Sequence, residues 1–494
     1  MKYKYIIFSF LVFLLICSNW SFALNDSTTT YSTNLFYEIG ASSGGANYTP
    51  FWLRAGNYGT IPTNSNFILG KIGGSFEDKG RKVGYKIEGE LNVNFGKESQ
   101  IYIPVGAVTL TYKGLEFNIG RRKEVVGLGD TLMTSGFYIW SGNALPIPKV
   151  QIGTRGFRII PFTNGMVSWL GNFAHGWFGT GEFASSYFLH QKTLFLKFGK
   201  SQNVINFYLG ATHFGQWGGY APKLIKYNIT TPNGALPGSW KDYVDMVLSK
   251  NLDVTSNSNL SLYQVGNQLG TIEALVNFKR RYGEWKTYFQ HGIESRGIFN
   301  NLPDGLYGIS YKNTLKSSKT LQIRKLLFEV LTTMNQNTQF DNNSELYYND
   351  DYFNHAHQYY DGWTYKKAMI GSPFFTIRED VRAEWQNFRK SIGEDVFVSL
   401  INNRFLAFYG AIDVGLGKSV LLKVKGTKSI NYLSFDTKTG GYGLRTPQFS
   451  GYLSICKMLK LARTSQIELK MAYDEGRLLP SNLGAYVLFK QTIF

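Results

Sequence analysis

The sequence predicts an all-β protein, a transmembrane antiparallel outer-membrane β-barrel of about 16–18 strands, and three observations carry that expectation. The first is alternation. Residues 83–95 read VGYKIEGELNVNF, with Val83, Tyr85, Ile87, Leu91, Val93 and Phe95 on one face. Lys86, Glu88, Glu90, Asn92 and Asn94 fall on the other, as the two-residue period of a strand requires. Strands of soluble proteins usually run about five or six residues, whereas a tilted membrane strand needs roughly 9–11. The second observation is the amino terminus: Lys2 and Lys4 precede an apolar run from Tyr5 to Ile16, and Ser21-Phe22-Ala23 offers small-residue cleavage. That is the layout of a secretory signal over 1–23. The third is that no later apolar run reaches the length of a spanning helix, although aromatics make up 16% of the chain and glycine is abundant. A barrel shows this pattern, because only alternate residues touch lipid.

The same alternation recurs along the chain. Ile205, Phe207, Leu209 and Ala211 share a face, as do Ile272, Ala274, Val276 and Phe278, and Ile467, Leu469, Met471 and Tyr473. Further candidate strands lie near 149–160, 192–199, 284–292, 304–312, 320–333, 396–413, 419–425 and 451–462. The barrel is therefore assigned to 67–494. Segment 24–66 lacks clean alternation and carries Pro50, Phe51, Trp52 and Pro62, which suggests an N-terminal periplasmic or plug segment. The final strand ends on Phe494, with Tyr486 and Leu488 on the same face, a terminus of the kind that barrel insertion machinery reads.

Connections fall into two classes. Short ones include Asp78-Lys79-Gly80-Arg81; long ones cover roughly 122–148, 214–262 and 335–373. Outer-membrane barrels put short turns on the periplasmic side and long loops outside, so the long loops are the candidates for external chemistry. Within the second, Ser239 can cap a short helix that opens at Trp240-Lys241-Asp242-Tyr243 and runs to Lys250.

Charge and cysteine content narrow the function. The whole chain carries +18; without 1–23 it loses Lys2 and Lys4 and no acid, leaving 50 basic against 34 acidic residues and a charge of +16. Basic residues on an external rim hold phosphates of lipopolysaccharide and outer-membrane lipid. The charge is spread through strand faces and no recognition fold is present, so no nucleic acid partner is expected. One cysteine, Cys456, follows the leader, which rules out an internal disulfide.

No catalytic constellation stands out, and the protein is not expected to be an enzyme. There is no phosphate-cradling glycine loop. Glu379 and Asp380 are adjacent carboxylates that would point apart on a strand. His355 and His357 stand near Asp350, Asp351 and Asp361, but spacing fixes no third ligand, so no metal and no cofactor is expected. His175 reads as a buried, hydrogen-bonded histidine.

Ordered blocks carry a resemblance to a known family. Gly120-Arg121-Arg122-Lys123-Glu124 is followed by Ser141-Gly142-Asn143-Ala144-Leu145-Pro146-Ile147-Pro148-Lys149-Val150. Then come Pro161-Phe162-Thr163-Asn164-Gly165 and Gly171-Asn172-Phe173-Ala174-His175-Gly176. A later set comprises Asn354-His355, Gly362-Trp363-Thr364-Tyr365 and Ile370-Gly371-Ser372-Pro373. These blocks resemble the Wzi-type capsule assembly proteins. The resemblance implies a monomeric outer-membrane barrel of about eighteen strands that anchors capsular polysaccharide at the cell surface, acting as a lectin. The alternative is a porin-like transport barrel for sugars or other solutes.

Chemistry suited to that implied role is present. Arginine makes bidentate contacts to carboxylates, and aromatic rings pack on the apolar faces of sugars. The candidate glycan-binding residues are Trp363, Tyr359, Tyr360 and Tyr365 in the loop 335–373, with Arg121 and Arg122 in the first block. The same rings would serve equally to form an aromatic girdle or to pack the loop on the barrel rim.

Overall fold

A computed structural model describes residues 31–493, apart from 81, 98, 228–229, 231–232, 251–264, 295–298, 316–319, 337, 341–345, 349–350, 355–357, 388–389, 392–395, 398, 434, 437–440, 443 and 460–463. The leader expected at 1–23, His355, His357, Asp350 and Phe494 lie outside the described residues.

One closed antiparallel sheet forms the protein wall. Its staves are β1 (Tyr31–Gly44), β2 (Phe67–Asp78), β3 (Gly84–Gly96), β4 (Gln100–Tyr112), β5 (Leu115–Arg121), β6 (Lys149–Thr154), β7 (Val167–Thr180), β8 (Ser185–Phe198) and β9 (Ile205–Trp217). They continue as β10 (Asn267–Arg280), β11 (Gly283–Ile293), β12 (Gly305–Asn313), β13 (Leu321–Thr332), β14 (Phe405–Leu416), β15 (Val420–Asn431), β16 (Thr446–Leu459), β17 (Ser465–Gly476) and β18 (Asn482–Thr492). The short strand Arg158–Ile159 continues β6, since both pair with β7. The barrel thus has 18 staves, an even number as outer-membrane barrels have.

β1 closes the ring. It pairs with β2 on one side and with β18 on the other. This moves the expected boundary at residue 66: Tyr31–Gly44 is a stave, and only residues 45–66 leave the wall. The alternation in β1 is muted because Phe36 and Glu38 share the inner face, and Phe36 lies under the Lys490 ammonium there.

The wall is turned inside out relative to a soluble barrel. In β3, Ile87 and Phe95 are 51% and 41% exposed, while Glu90 is 9% and Asn92 and Asn94 are 0%. Apolar side chains therefore face lipid, and the polar face lines the lumen. Inward charges pair across it: Lys71 meets Glu38 at 2.7 Å, Lys123 meets Glu90 at 2.6 Å, and Lys490 meets Glu38 at 3.1 Å. Tyr486 and Leu488 are buried inside, whereas Leu483 and Val487 face outward. That inner face is apolar because it meets the chain folded within, with Pro50 and Leu53 against Gly484.

The turns at the end that holds the termini are all short, and the long connectors lie at the other, outer end, beside a few short turns such as 181–184. Three of the long ones turn into the lumen and meet there as a plug: residues 45–66, residues 122–148 and the described residues of 333–404. The first carries a single helical turn, α1 (Phe51–Arg54). Phe51 stacks on Phe374 at 5.6 Å, and Tyr138 packs on Phe353 and Phe375 at 5.3 and 5.7 Å. The long loops at 122–148 and 335–373 are therefore largely internal, not free in the external medium. Their apolar side chains need cover, and the lumen supplies it.

The remaining long connector takes the opposite course. Its helix α2 (Trp240–Val247) starts at Ser239 with a complete capping box to Asp242, as the sequence predicts. It lies on the outer wall, with Tyr243 against Trp217 and His175. His175 thus packs among rings, including Trp177 and Phe188.

Candidate functional site

The plug is held by wall side chains that take its backbone. The Leu128 N–H donates to Glu273 at 2.5 Å, the Ser135 N–H to Glu329 at 2.7 Å and the Tyr138 N–H to Gln290 at 2.9 Å. Phe51 N–H donates to Asp474 at 2.7 Å, and the Tyr409 hydroxyl reaches the Met133 carbonyl at 2.6 Å. In the reverse sense, the plug's Asp361 accepts three successive backbone N–H groups from the β7–β8 turn, those of Glu182, Phe183 and Ala184. Each wall group is a buried polar side chain that needs such a partner. A luminal stave can carry these groups only because the plug satisfies them.

The bend that sends 122–148 inward begins at Gly120. Its φ is +122°, and a Cβ there would lie 2.1 Å from the Gly106 carbonyl oxygen. Only glycine fits this backbone. Beyond it, Val126 bridges Trp140, so the β5–β6 hairpin continues into the lumen instead of up the wall.

The expected glycan-binding residues are brought together, but inside the plug. Trp363 is 0% exposed; its indole N–H donates to the Ile139 carbonyl at 2.9 Å, among Trp140, Phe178 and Phe214. Tyr359 is buried and donates to the Gly218 carbonyl at 2.9 Å. Tyr360 is buried against Phe183. Tyr365 is buried and accepts from Arg121 at 3.1 Å, while the same guanidinium reaches the Ile103 carbonyl. Arg122 pairs with Glu116 at 2.9 Å and lies 3.8 Å from Glu124. In this arrangement no sugar can stack on Trp363 unless the plug first opens.

A different set of residues lines an open cleft at the outer end, about 360 Å³ in volume. It includes Arg54, Tyr102, Asn143, Lys366, Lys367 and Glu379. Lys366 and Lys367 form the two-residue tip of a hairpin whose ends, Tyr365 and Ala368, exchange backbone hydrogen bonds of 2.8 and 3.1 Å. Both lysines have positive φ, 51° and 58°, the geometry of a type I′ turn. Holding two lysines there costs about 1–2 kcal/mol each. The lysine doublet that directly follows Gly362-Trp363-Thr364-Tyr365 was the available signal; nothing in the sequence tells that its neighbours are buried and it is not.

The cleft has mixed charge. Arg54 pairs with Asp380 at 2.7 Å and reaches the Tyr48 hydroxyl at 2.5 Å. Burial holds the Glu379 carboxyl above the ordinary carboxylate value, and the Asp380 and Glu182 charges add to the rise, offset in part by its own backbone hydrogen bond and Lys367. Among the described residues no group of three or more histidine, cysteine or acidic side chains could hold a metal ion.

No family model matches this chain, and neither does any curated protein sequence. Among solved structures it is similar to Wzi of Escherichia coli, described as an outer-membrane protein involved in group 1 capsule assembly and a carbohydrate-binding β-barrel. The two share 12% identity over 92% of this chain and 84% of that one, with a TM-score of 0.60. The outer membrane protein OprD of Pseudomonas aeruginosa matches at 10% identity over 94% of each chain, with a TM-score of 0.47. OccAB2 of Acinetobacter baumannii matches at 8% over 94% and 98%, also at 0.47. Closed sheet, lipid-facing apolar surface and the fold likeness to the Escherichia coli barrel define the class: the chain is a β-barrel protein of the outer membrane.

Proposed function

We propose that this barrel is a non-enzymatic lectin that attaches capsular polysaccharide to the cell surface and supports capsule assembly. The observation that carries the reading is the outer cleft, where Lys366, Lys367 and Arg54 meet amide and aromatic side chains beside a plugged lumen. Cations with adjoining rings and amides suit an acidic glycan. The fold likeness to a carbohydrate-binding barrel supports the same reading. A lumen crossed by three connectors speaks against steady solute transport. Lipopolysaccharide at the rim and a monomeric state belong to this proposal.

The test is retention. A strain lacking the protein should shed more polysaccharide into the medium than its parent, and equal shedding would end the attachment role. Purified protein incubated with capsule should release neither reducing ends nor acyl groups; a released product would make it an enzyme.

The cleft also gives a pH dependence. Because the Glu379 carboxyl is raised, it takes up its proton at a higher pH than an exposed glutamate. Protonation removes a negative charge beside Lys366 and Lys367, so affinity for an acidic glycan should rise as the pH falls. Between about pH 7 and pH 5 the expected gain is roughly two- to fivefold, a surface-scale electrostatic effect. Glu379→Gln should bind at the stronger level throughout and show a flat profile. Binding that weakens on acidification in the parent protein would contradict the assignment.

A further inference from the structure

On the terminus side of the plug the lumen holds a second chamber, about 250 Å³ in volume, lined by Lys423, Lys425 and Lys470 with Trp52, Tyr452 and Glu468. The sheet register explains the cluster. Lys423 pairs with Ser454 and Ser454 with Lys470, so the two lysines flank one residue in a single row across β15, β16 and β17. With strands about 4.8 Å apart, their backbones stand roughly 10 Å from each other. Lys425 heads the next row, opposite Tyr452, and its ammonium lies 4.8 Å from the Trp52 ring centre and 5.3 Å from that of Tyr452.

The nearby carboxylates are already engaged. Glu468 takes Lys470 at 3.5 Å and the Ser454 hydroxyl at 2.5 Å. Asp413, across from Lys423 in the register, lies 3.8 Å from the Arg324 guanidinium. Glu329 holds the plug backbone and the Tyr288 hydroxyl. Among the described residues Lys423 and Lys425 therefore have no ion pair. Lys423, Lys425, Lys470 and Arg324 face Glu468, Asp413 and Glu329 at this wall, an excess of one positive charge that focuses an anion into a walled cavity.

We propose that this chamber binds one acidic sugar unit, a pyranose bearing a carboxylate, entering from the periplasmic side. Lys423 and Lys425 take the carboxylate, and Tyr452, opposite Lys425 in the register, supplies an apolar wall for the ring, while Trp52, 3% exposed, backs the Lys425 ammonium. At about 30 Å³ per water the space equals roughly eight waters, which suits a single unit and not a chain. Plug and wall separate this chamber from the outer cleft, so the inference does not depend on what the cleft binds.

Titration calorimetry on the full-length protein in detergent tests it, with glucuronate, glucose and inorganic phosphate as probes. Glucuronate should bind at least tenfold more tightly than either of the others. Lys423→Gln with Lys425→Gln should weaken it at least tenfold, and Lys425→Arg should retain it. Lys200→Gln, an exposed lysine outside both cavities, should leave it unchanged. Phosphate binding as tightly as glucuronate would overturn the sugar assignment. Binding lost with the Lys200 change, kept in the double glutamine variant, or absent from the parent would overturn the site. Retained heat-modifiable mobility on gels shows that each variant still forms the barrel.

Discussion

Trp363→Ala should loosen the plug while leaving the barrel assembled. The side chain is fully buried among Trp140, Phe178 and Phe214, and its indole N–H is tied to the Ile139 carbonyl. Truncating a buried tryptophan costs about 3–5 kcal/mol, and here the loss falls on connectors, not on the ladder hydrogen bonds of the wall. Planar-bilayer recordings should therefore show frequent brief openings in the variant and a quiet trace in the parent, with unchanged heat-modifiable mobility. A parent that conducts steadily would show the plug to be no barrier. A variant as quiet as the parent would mean that the anchors at Glu273, Glu329 and Gln290 hold the plug unaided. Any loss of glycan binding in this variant would be read as loss of cleft shape, because the ring itself offers no surface.

The second large effect is expected at the outer turn. Lys366→Asn with Lys367→Gly removes two charges and installs Asn-Gly, the pair best suited to a type I′ turn. Folding should be unharmed or slightly improved, since the two lysines hold strained backbone. Binding of an acidic polysaccharide should fall at least tenfold, which two charge-assisted contacts of about 1.5–3 kcal/mol each would more than account for. Co-sedimentation with purified capsule at fixed salt measures it. Unchanged binding would remove the outer cleft from the attachment reading, whatever the stability of the variant.

The staves were legible because lipid and water impose a strict period of two on the chain between them. β3 shows this plainly, from Ile87 outward to Asn92 inward. The period fails where the lumen is not water. Tyr486 and Leu488 are apolar yet point inward, Tyr486 against Phe67 and the Gly40 backbone, and the outer face of β1 is hidden by Phe36 on the inner one. The plug itself left no period at all. Residues 133–147 are mostly enclosed by wall and connectors, so Phe137, Tyr138, Ile139 and Trp140 are buried in succession. The same blindness affected the site. A tyrosine-rich loop has the same composition whether it faces out or folds in, and only the fold separates the buried Trp363 from the accessible Lys366.

The two half-length staves have a consequence of their own. β5 and β6 end partway up the wall, so the pairing of β4 stops at Gly106 and that of β7 at Gly176. Above them Gln100–Val105 and Trp177–Thr180 border a seam about 14 Å wide, three strand spacings. Unpaired strand edges are not tolerated against hydrocarbon. The inturned chain closes this one, with the Arg121 guanidinium on the Ile103 carbonyl and the Trp177 N–H on the Pro148 carbonyl. The plug is thus a cork welded into its bottle. It cannot be withdrawn along the axis without splitting the wall sideways, so any opening must be a local shift of side chains and hairpin tips, not the exit of a body.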